Sequence, residues 1–591
     1  MSFVELKALA LTFICVLVFS MLGRVFTVYS YNAIGRTLTV TPFYAAIVGL
    51  GAWYAWFLLC TVALGVSLST TLWSFFGFSF LWLWFGVKAF QVDEEMEHFW
   101  SHGVFSILLL IPAFIFAAGD APLTAQELDV SFVHITNFLQ SGYFEATADS
   151  VIPMAVASSL LPMSVLGNSF LMSSFALLNI LLFALLAGAM VKAADIPVKW
   201  SNLALVSAGS LLALFLLNPL FNSGFLLSAS GDFLFAITLF AACSSFFTQR
   251  ALPTGWGVVP VAFILVLLVG LKEIGVIFAA VIFVLWLVRS AFEDVAHGAA
   301  WVLGLIFMAA LPAAAWFVWV STVDGFSMFL LVEGQFSELL SEKVKQLILF
   351  KSSALGLTVL VLLLAVYRFV LGRKTAIPFI AKESIVIVPA VLALVALLLS
   401  VIYPKQSSLE HVQFLLLVPL WYLGHRFYVQ TTWQEIAYKA PWRIGLSLAV
   451  VLISWQAIQK DRLQERFVPS VEHTLRVATA FKESYLPKGA KIAVFDIPEQ
   501  SDYHASMLRY GLGDFADATD VTPLFLQKRR NFPRFHLSLK EANYQYLWVH
   551  RLSGDVRGFF DGSLQPGSSY FFKVNPQSFE LKGVFPHPRY K

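Results

Sequence analysis

The chain has 591 residues, 59% of them hydrophobic and 13% charged, with a formal charge of +3 and a mean hydropathy of +0.77. Soluble domains carry roughly 25% charged residues, so this composition excludes an ordinary soluble enzyme and points to a polytopic membrane protein. The small net charge gives no basis for a nucleic-acid partner, and Cys15, Cys60 and Cys243 all fall in apolar runs, which excludes a disulfide framework.

A membrane span needs about 20 mostly apolar residues. Such runs recur at 7–28, 41–66, 69–90, 100–118, 168–191, 203–221, 229–247, 257–271, 273–290, 298–321, 345–371, 384–403, 409–428 and 443–459. They predict about 14 transmembrane helices. The first run has no small-residue cleavage pattern and reads as a retained helix. Asp93, Glu94, Glu95, Glu97, His98 and His102 follow the third run, with Glu94, His98 and His102 on one helical face. That spacing could suit a metal, but the run sits beside Lys88 on the predicted cytoplasmic side and reads first as the solvated entrance of a helix.

Between Asp120 and Asn168 the chain carries five acidic side chains, Asp120, Glu127, Asp129, Glu145 and Asp149, and no Lys or Arg. Lys and Arg concentrate in cytoplasmic loops, so a long loop of acids alone, here 118–167, belongs on the extracytoplasmic face. With that loop outside, Lys192, Lys199, Arg250, Arg289, Arg368, Arg373, Lys374, Lys382, Arg426, Lys439 and Arg443 fall inside. The opposite loops hold only Lys272, Lys343, Lys345 and Lys405. The same count puts the N-terminus and the region past residue 460 outside, with Arg24 and Arg36 inside.

Past residue 460 Arg, Lys, Asp and Pro become common, and short β-type runs appear at Lys491–Phe495, Tyr544–His550 and Tyr570–Val574, with a helix near Ser506–Tyr510. They predict a small α/β domain over 461–591, free of a glycine-rich phosphate loop, a nucleophile elbow or a metal-ligand spacing. An accessory lid or acceptor-docking role suits it. The expected organisation is additional helices over 1–99, a transmembrane catalytic region over 100–460 and this external domain.

The segment Glu127 to Phe144, E-L-D-V-S-F-V-H-I-T-N-F-L-Q-S-G-Y-F, resembles the first external loop of the GT-C superfamily of integral-membrane glycosyltransferases, which includes the protein O-mannosyltransferases and the lipid A aminoarabinose transferase. Those loops read Asp-Glu, a short amphipathic helix, then a small-residue and Gly turn followed by an aromatic. Matching Ser141-Gly142-Tyr143-Phe144 to the turn puts Glu127 on the acidic position; Leu128 stands where a second acid is expected, and Asp129 comes one later. Ser228-Ala-Ser-Gly-Asp232 resembles the family's second external acid at the head of a span. Leu271-Lys272-Glu273-Ile-Gly275 resembles its Lys-centred hairpin. Glu410-His411 through Pro419 resembles a late span that often begins Arg-Tyr; no Arg is present, and His411 or Lys405 takes its place.

The resemblance covers roughly 100–460 and implies an all-α polytopic enzyme that transfers a sugar from a polyprenyl-phosphate donor to an extracytoplasmic glycan, lipid or protein acceptor. The cell (inner) membrane is its expected location. Such transfer needs a base for the acceptor proton, a role open to Glu127 or Asp129, and cations for the leaving phosphate, a role open to Lys272 and Lys405. Asp232, with Glu273 and His411, completes the expected substrate-binding set. No cofactor is indicated; a divalent metal is compatible with this chemistry without being called for. Each residue also has a plain structural reading: Glu127 or Asp129 capping a helix, Asp232 capping its span, Lys272 and Glu273 forming a helix-turn ion pair, Lys405 snorkelling. A transporter or flippase of lipid-linked cargo, or a glycan polymerase or ligase, are the alternative functions.

Overall fold

A computed structural model describes residues 3–32, 40–90, 154–167, 174–193, 231–248, 255–292, 298–321, 358–363, 381–402, 473–496, 501–527, 532–550 and 568–586, with positions 135, 139, 141–143, 365, 412, 415, 416 and 564. The chain divides into two compact units, one of residues 1–118 and 137–456, which holds the apolar helices, and one of residues 119–136 and 457–591.

In the first unit the helices are α1 (Phe3–Asn32), α2 (Pro42–Phe57), α3 (Leu68–Phe90), α4 (Met154–Gly167), α5 (Ser174–Ala193), α6 (Asp232–Thr248), α7 (Val259–Leu271), α8 (Gly275–Phe292), α9 (Ala299–Ser321) and α10 (Ala381–Ile402). Three helical stretches among the described residues are long and apolar enough to cross a membrane: Leu6–Tyr31, Pro42–Ala63 and Trp301–Val318. Shorter apolar helices occupy Ser174–Leu186, Asp232–Ser244, Trp256–Leu271, Gly275–Ser290 and Ile385–Leu399. These overlap the runs expected at 7–28, 41–66, 168–191, 229–247, 257–271, 273–290, 298–321 and 384–403, but among the described residues only the three stretches named first have the length and apolarity of a span. The runs expected at 100–118, 203–221, 409–428 and 443–459 contain few or no described residues.

Helix α2 starts where its sequence says it should: the Thr41 hydroxyl accepts a hydrogen bond from Tyr44 N at 3.3 Å, and Pro42 takes the first helical position. It lies at the centre of its unit, and glycines let its backbone approach two neighbours. A Cβ on Gly49 would stand 2.1 Å from the Phe19 carbonyl oxygen of α1, and one on Gly51 would stand 2.2 Å from the Phe263 carbonyl oxygen of α7. Small residues at such crossings let apolar helices gain dispersion contacts where no hydrophobic drive exists between them. By contrast, α3 and α9 present Trp73, Phe80, Trp84, Ile306 and Phe317 outward, the pattern of faces that meet lipid.

One difference from expectation falls inside 118–167. Met154–Gly167 is a helix with Ala155, Val156, Leu160 and Leu161 fully buried, and its Ser158 carbonyl accepts a hydrogen bond from Trp53 Nε1 at 2.8 Å. At 14 residues, with Pro162 inside, it falls short of the length that marks a span.

The second unit is built on a five-stranded sheet of order β2-β1-β3-β4-β5. Its elements are β1 (Ala490–Phe495), α11 (Ser501–Leu512), β2 (Ala516–Asp520), α12 (Thr522–Gln527), α13 (Phe532–Glu541), β3 (Tyr546–Val549), β4 (Ser569–Val574) and β5 (Phe579–Phe585). β1 pairs in parallel with both β2 and β3, and β4 and β5 continue antiparallel. Successive residues of a strand face opposite sides: Ile492 and Val494 join a core with Phe481, Leu508, Trp548 and Phe571, while Ala493 and Phe495 join one with Phe525, Phe535, Leu547 and Phe572. A strand covered on both faces reads as a continuous apolar run, which is why Lys491–Phe495 is recognisable as a strand. β5 lies at the sheet's edge, mostly exposed, and its register with β4 shifts between Phe571 and Phe572.

Candidate functional site

Two groups of polar side chains stand out among the described residues, one in each unit. In the first, α7 and α8 form a hairpin interrupted by Lys272-Glu273-Ile274. Lys272 leaves the helix in an extended conformation, with φ −156° and ψ 152°, and Gly275 N returns to the Lys272 carbonyl at 2.8 Å to start α8. A Cβ on Gly275 would lie 2.1 Å from the Leu268 carbonyl oxygen, so only glycine closes this turn. On the neighbouring helix Gly231, at φ +79°, turns the chain into α6, which begins at Asp232. Rings of Phe235 and Phe278 meet edge-on at 5.8 Å and hold α6 against α8.

This architecture brings the Lys272 ammonium onto the Asp232 carboxylate, each side chain about one-fifth exposed. The helix dipoles favour both charges, the acid at an N-terminus and the cation at a C-terminus. Arg289, buried near the end of α8, donates to the Phe246 carbonyl near the end of α6 at 2.8 Å. The two helices are thus tied at both ends. Glu273 is half-buried beside Lys272.

Of the expected site residues, the structure therefore joins Asp232 to Lys272 and leaves Glu273 adjacent in sequence. Glu127, Asp129, Lys405 and His411 lie outside the described residues, as do Asp93 to His102. The turn expected at Ser141-Gly142-Tyr143 is present: Gly142 has φ +70°, the Ser141 hydroxyl donates to the Tyr143 carbonyl at 2.8 Å, and Leu68 N donates to the Gly142 carbonyl at 2.8 Å.

The second group escaped the sequence reading. Asp496 directly follows β1, His550 directly follows β3, and His504 sits in the first turn of α11. All three are buried, and one ligand atom from each lies within 4.8 Å of the others. His504 Nδ1 is 2.5 Å from Asp496 Oδ2, and the His504 and His550 rings stack at 3.7 Å. The chain leaves β1 to build β2 on one side and then returns to build β3 on the other, so the C-terminal ends of β1 and β3 flank the point where strand order reverses. Open parallel sheets place their ligands at that point. The available signal was one polar residue closing each of two apolar strands.

No protein-family model matches the chain, and neither a curated protein nor a solved structure matches it.

Proposed function

We propose that the chain is a membrane glycosyltransferase that moves a sugar from a polyprenyl-phosphate donor to an extracytoplasmic glycan, lipid or protein acceptor. The observation that carries this reading is the Lys272–Asp232 pair, a cation and an acid set by a glycine-closed hairpin at the ends of apolar helices and still open to solvent. When the bond from sugar to phosphate breaks, negative charge grows on the leaving phosphate, and a fixed cation with little water around it stabilises that charge. Asp232 fits the task of orienting Lys272 for this purpose. Glu127 or Asp129 supplies the base for the acceptor proton, with Glu273, Lys405 and His411 completing the polar lining. The positive-inside count supports one extracytoplasmic side for the acidic loop and the C-terminal domain in an inner-membrane protein of about 14 spans.

Membrane vesicles containing the protein, supplied with a radiolabelled polyprenyl-phosphate sugar and envelope extract, should release free polyprenyl phosphate and label an acceptor. Translocation of the labelled lipid without release would instead identify a transporter.

A further inference from the structure

We propose that Asp496, His504 and His550 bind a divalent transition-metal ion, zinc in the first instance, at the C-terminal end of β1 and β3. The three side chains come from separate stretches of sequence, yet all three are buried and their ligand atoms lie within 4.8 Å of one another. A tetrahedral zinc with bonds of about 2.1 Å places its ligand atoms roughly 3.4 Å apart, so the two rings would turn out of their stack and the side chains close together to meet on an ion. The donor set of two imidazoles and one carboxylate belongs to the zinc class, and with three protein ligands a fourth position is left for a water or small anion.

Burial points the same way. Asp496 and His504 side chains are only 1% and 3% exposed, and the His504 and His550 rings stack at 3.7 Å beside that buried carboxylate. An Asp–His dyad accounts for Asp496 and His504 alone. The second imidazole, His550, packs edge-on against Trp548 at 4.8 Å and brings a ligand atom within 4.8 Å of both.

Hydrogen bonds fix the backbone that carries the three side chains. Asp496 N donates to the Thr522 hydroxyl at 3.1 Å, and Thr522 N donates to Asp520 Oδ1 at 2.9 Å. The Ser501 hydroxyl, at the head of the helix that bears His504, donates to Asp520 Oδ2 at 2.8 Å. Behind His550, the Ser569 hydroxyl donates to the His550 carbonyl, and His473 Nε2 lies 2.8 Å from the same hydroxyl. A hydroxyl has one hydrogen to give, so His473 is the donor in that contact.

The test uses the untagged full chain in detergent, equilibrated with micromolar zinc, dialysed and assayed for bound metal, with cobalt substitution in parallel. Wild type should retain about one zinc per chain and give the visible bands of a tetrahedral cobalt site. His504→Gln and His550→Gln should each lower retention to about a tenth or less, with Asp496→Asn as a near-isosteric third variant. A His98→Gln/His102→Gln double variant should keep the metal. Wild type that retains no zinc and gives no cobalt bands overturns the proposal, whatever the folding of the variants. So does retention in all three site variants, or loss on changing His98 and His102. Sugar transfer is not read in this assay, so its outcome is separate from that of the glycosyltransferase reading.

Discussion

The ammonium of Lys272 meets the carboxylate of Asp232 although 40 positions of sequence separate them. An ion pair of two groups with solvent access contributes little to stability by itself, so its value lies in where it holds the cation. Lys272→Met keeps the apolar stem and removes the charge. It should lower the rate of sugar transfer by about 10²-fold, as loss of one preorganised group facing a developing anion does. If Asp232 acts through Lys272, the Asp232→Asn/Lys272→Met double variant should be no slower than Lys272→Met alone. Additive losses would show that Asp232 has a separate task.

Glu127→Gln and Asp129→Asn test the base. One of the two should abolish transfer while expression and thermal stability stay at the wild-type level, because a base is needed only for the acceptor proton. Normal transfer by both variants would remove this loop from the mechanism.

The crossing of α1 and α2 is set by glycine. Gly49→Leu puts a Cβ 2.1 Å from a backbone oxygen that no rotamer change can move away, so the helices must separate. A cost of about 1–3 kcal/mol is expected, read as a lower melting temperature in detergent. Gly77, in α3, has nothing within 4 Å of its virtual Cβ. There Gly77→Ala should be neutral or stabilising by about 0.5–1 kcal/mol.

Sidedness can be read by labelling. With Cys15, Cys60 and Cys243 replaced, Ser141→Cys and Asp517→Cys should react with an impermeant maleimide in intact cells or spheroplasts, and Thr432→Cys should not. Ser141 and Asp517 are exposed, whereas Ser501 is buried and bonded to Asp520 and makes a poor reporter. Reaction at Thr432 with silence at Ser141 would invert the topology.

Ser569→Ala removes the hydroxyl that bridges His473 to the His550 carbonyl at the buried start of β4. Loss of a buried partner costs about 1–3 kcal/mol. Amides of β3 and β4 should therefore exchange faster with deuterium than in wild type, while those of the apolar helices stay unchanged.

What could be read from the chain beforehand follows from periodicity and length. The strand expected at Lys491–Phe495 is found at Ala490–Phe495, and the helix expected near Ser506–Tyr510 is found at Ser501–Leu512. Lys272 and Asp232 were both recognisable because a charge inside a long apolar stretch is conspicuous. Their pairing was not, since it depends on how α6 packs against the hairpin. Met154–Gly167 stayed hidden because its serines and Pro162 interrupt the apolar pattern. Asp496 and His504 are 8 positions apart, and His550 lies two crossovers further on, so only the strand order brings them together.

The exposed edge of the C-terminal sheet has a consequence for crowding in the plane of a membrane. Tethered molecules collide often, and a flat, apolar edge strand invites a neighbour to add its own strand. β5 answers with Glu580 and Lys582 paired along an exposed strand and with the irregular register at Phe571 and Phe572. The opposite edge, β2, is five residues long and carries Asp517 and Asp520. A neighbour that docked on β5 would have to strip water from Glu580 and Lys582 and match an irregular register, and one that docked on β2 would have to strip water from the exposed Asp517.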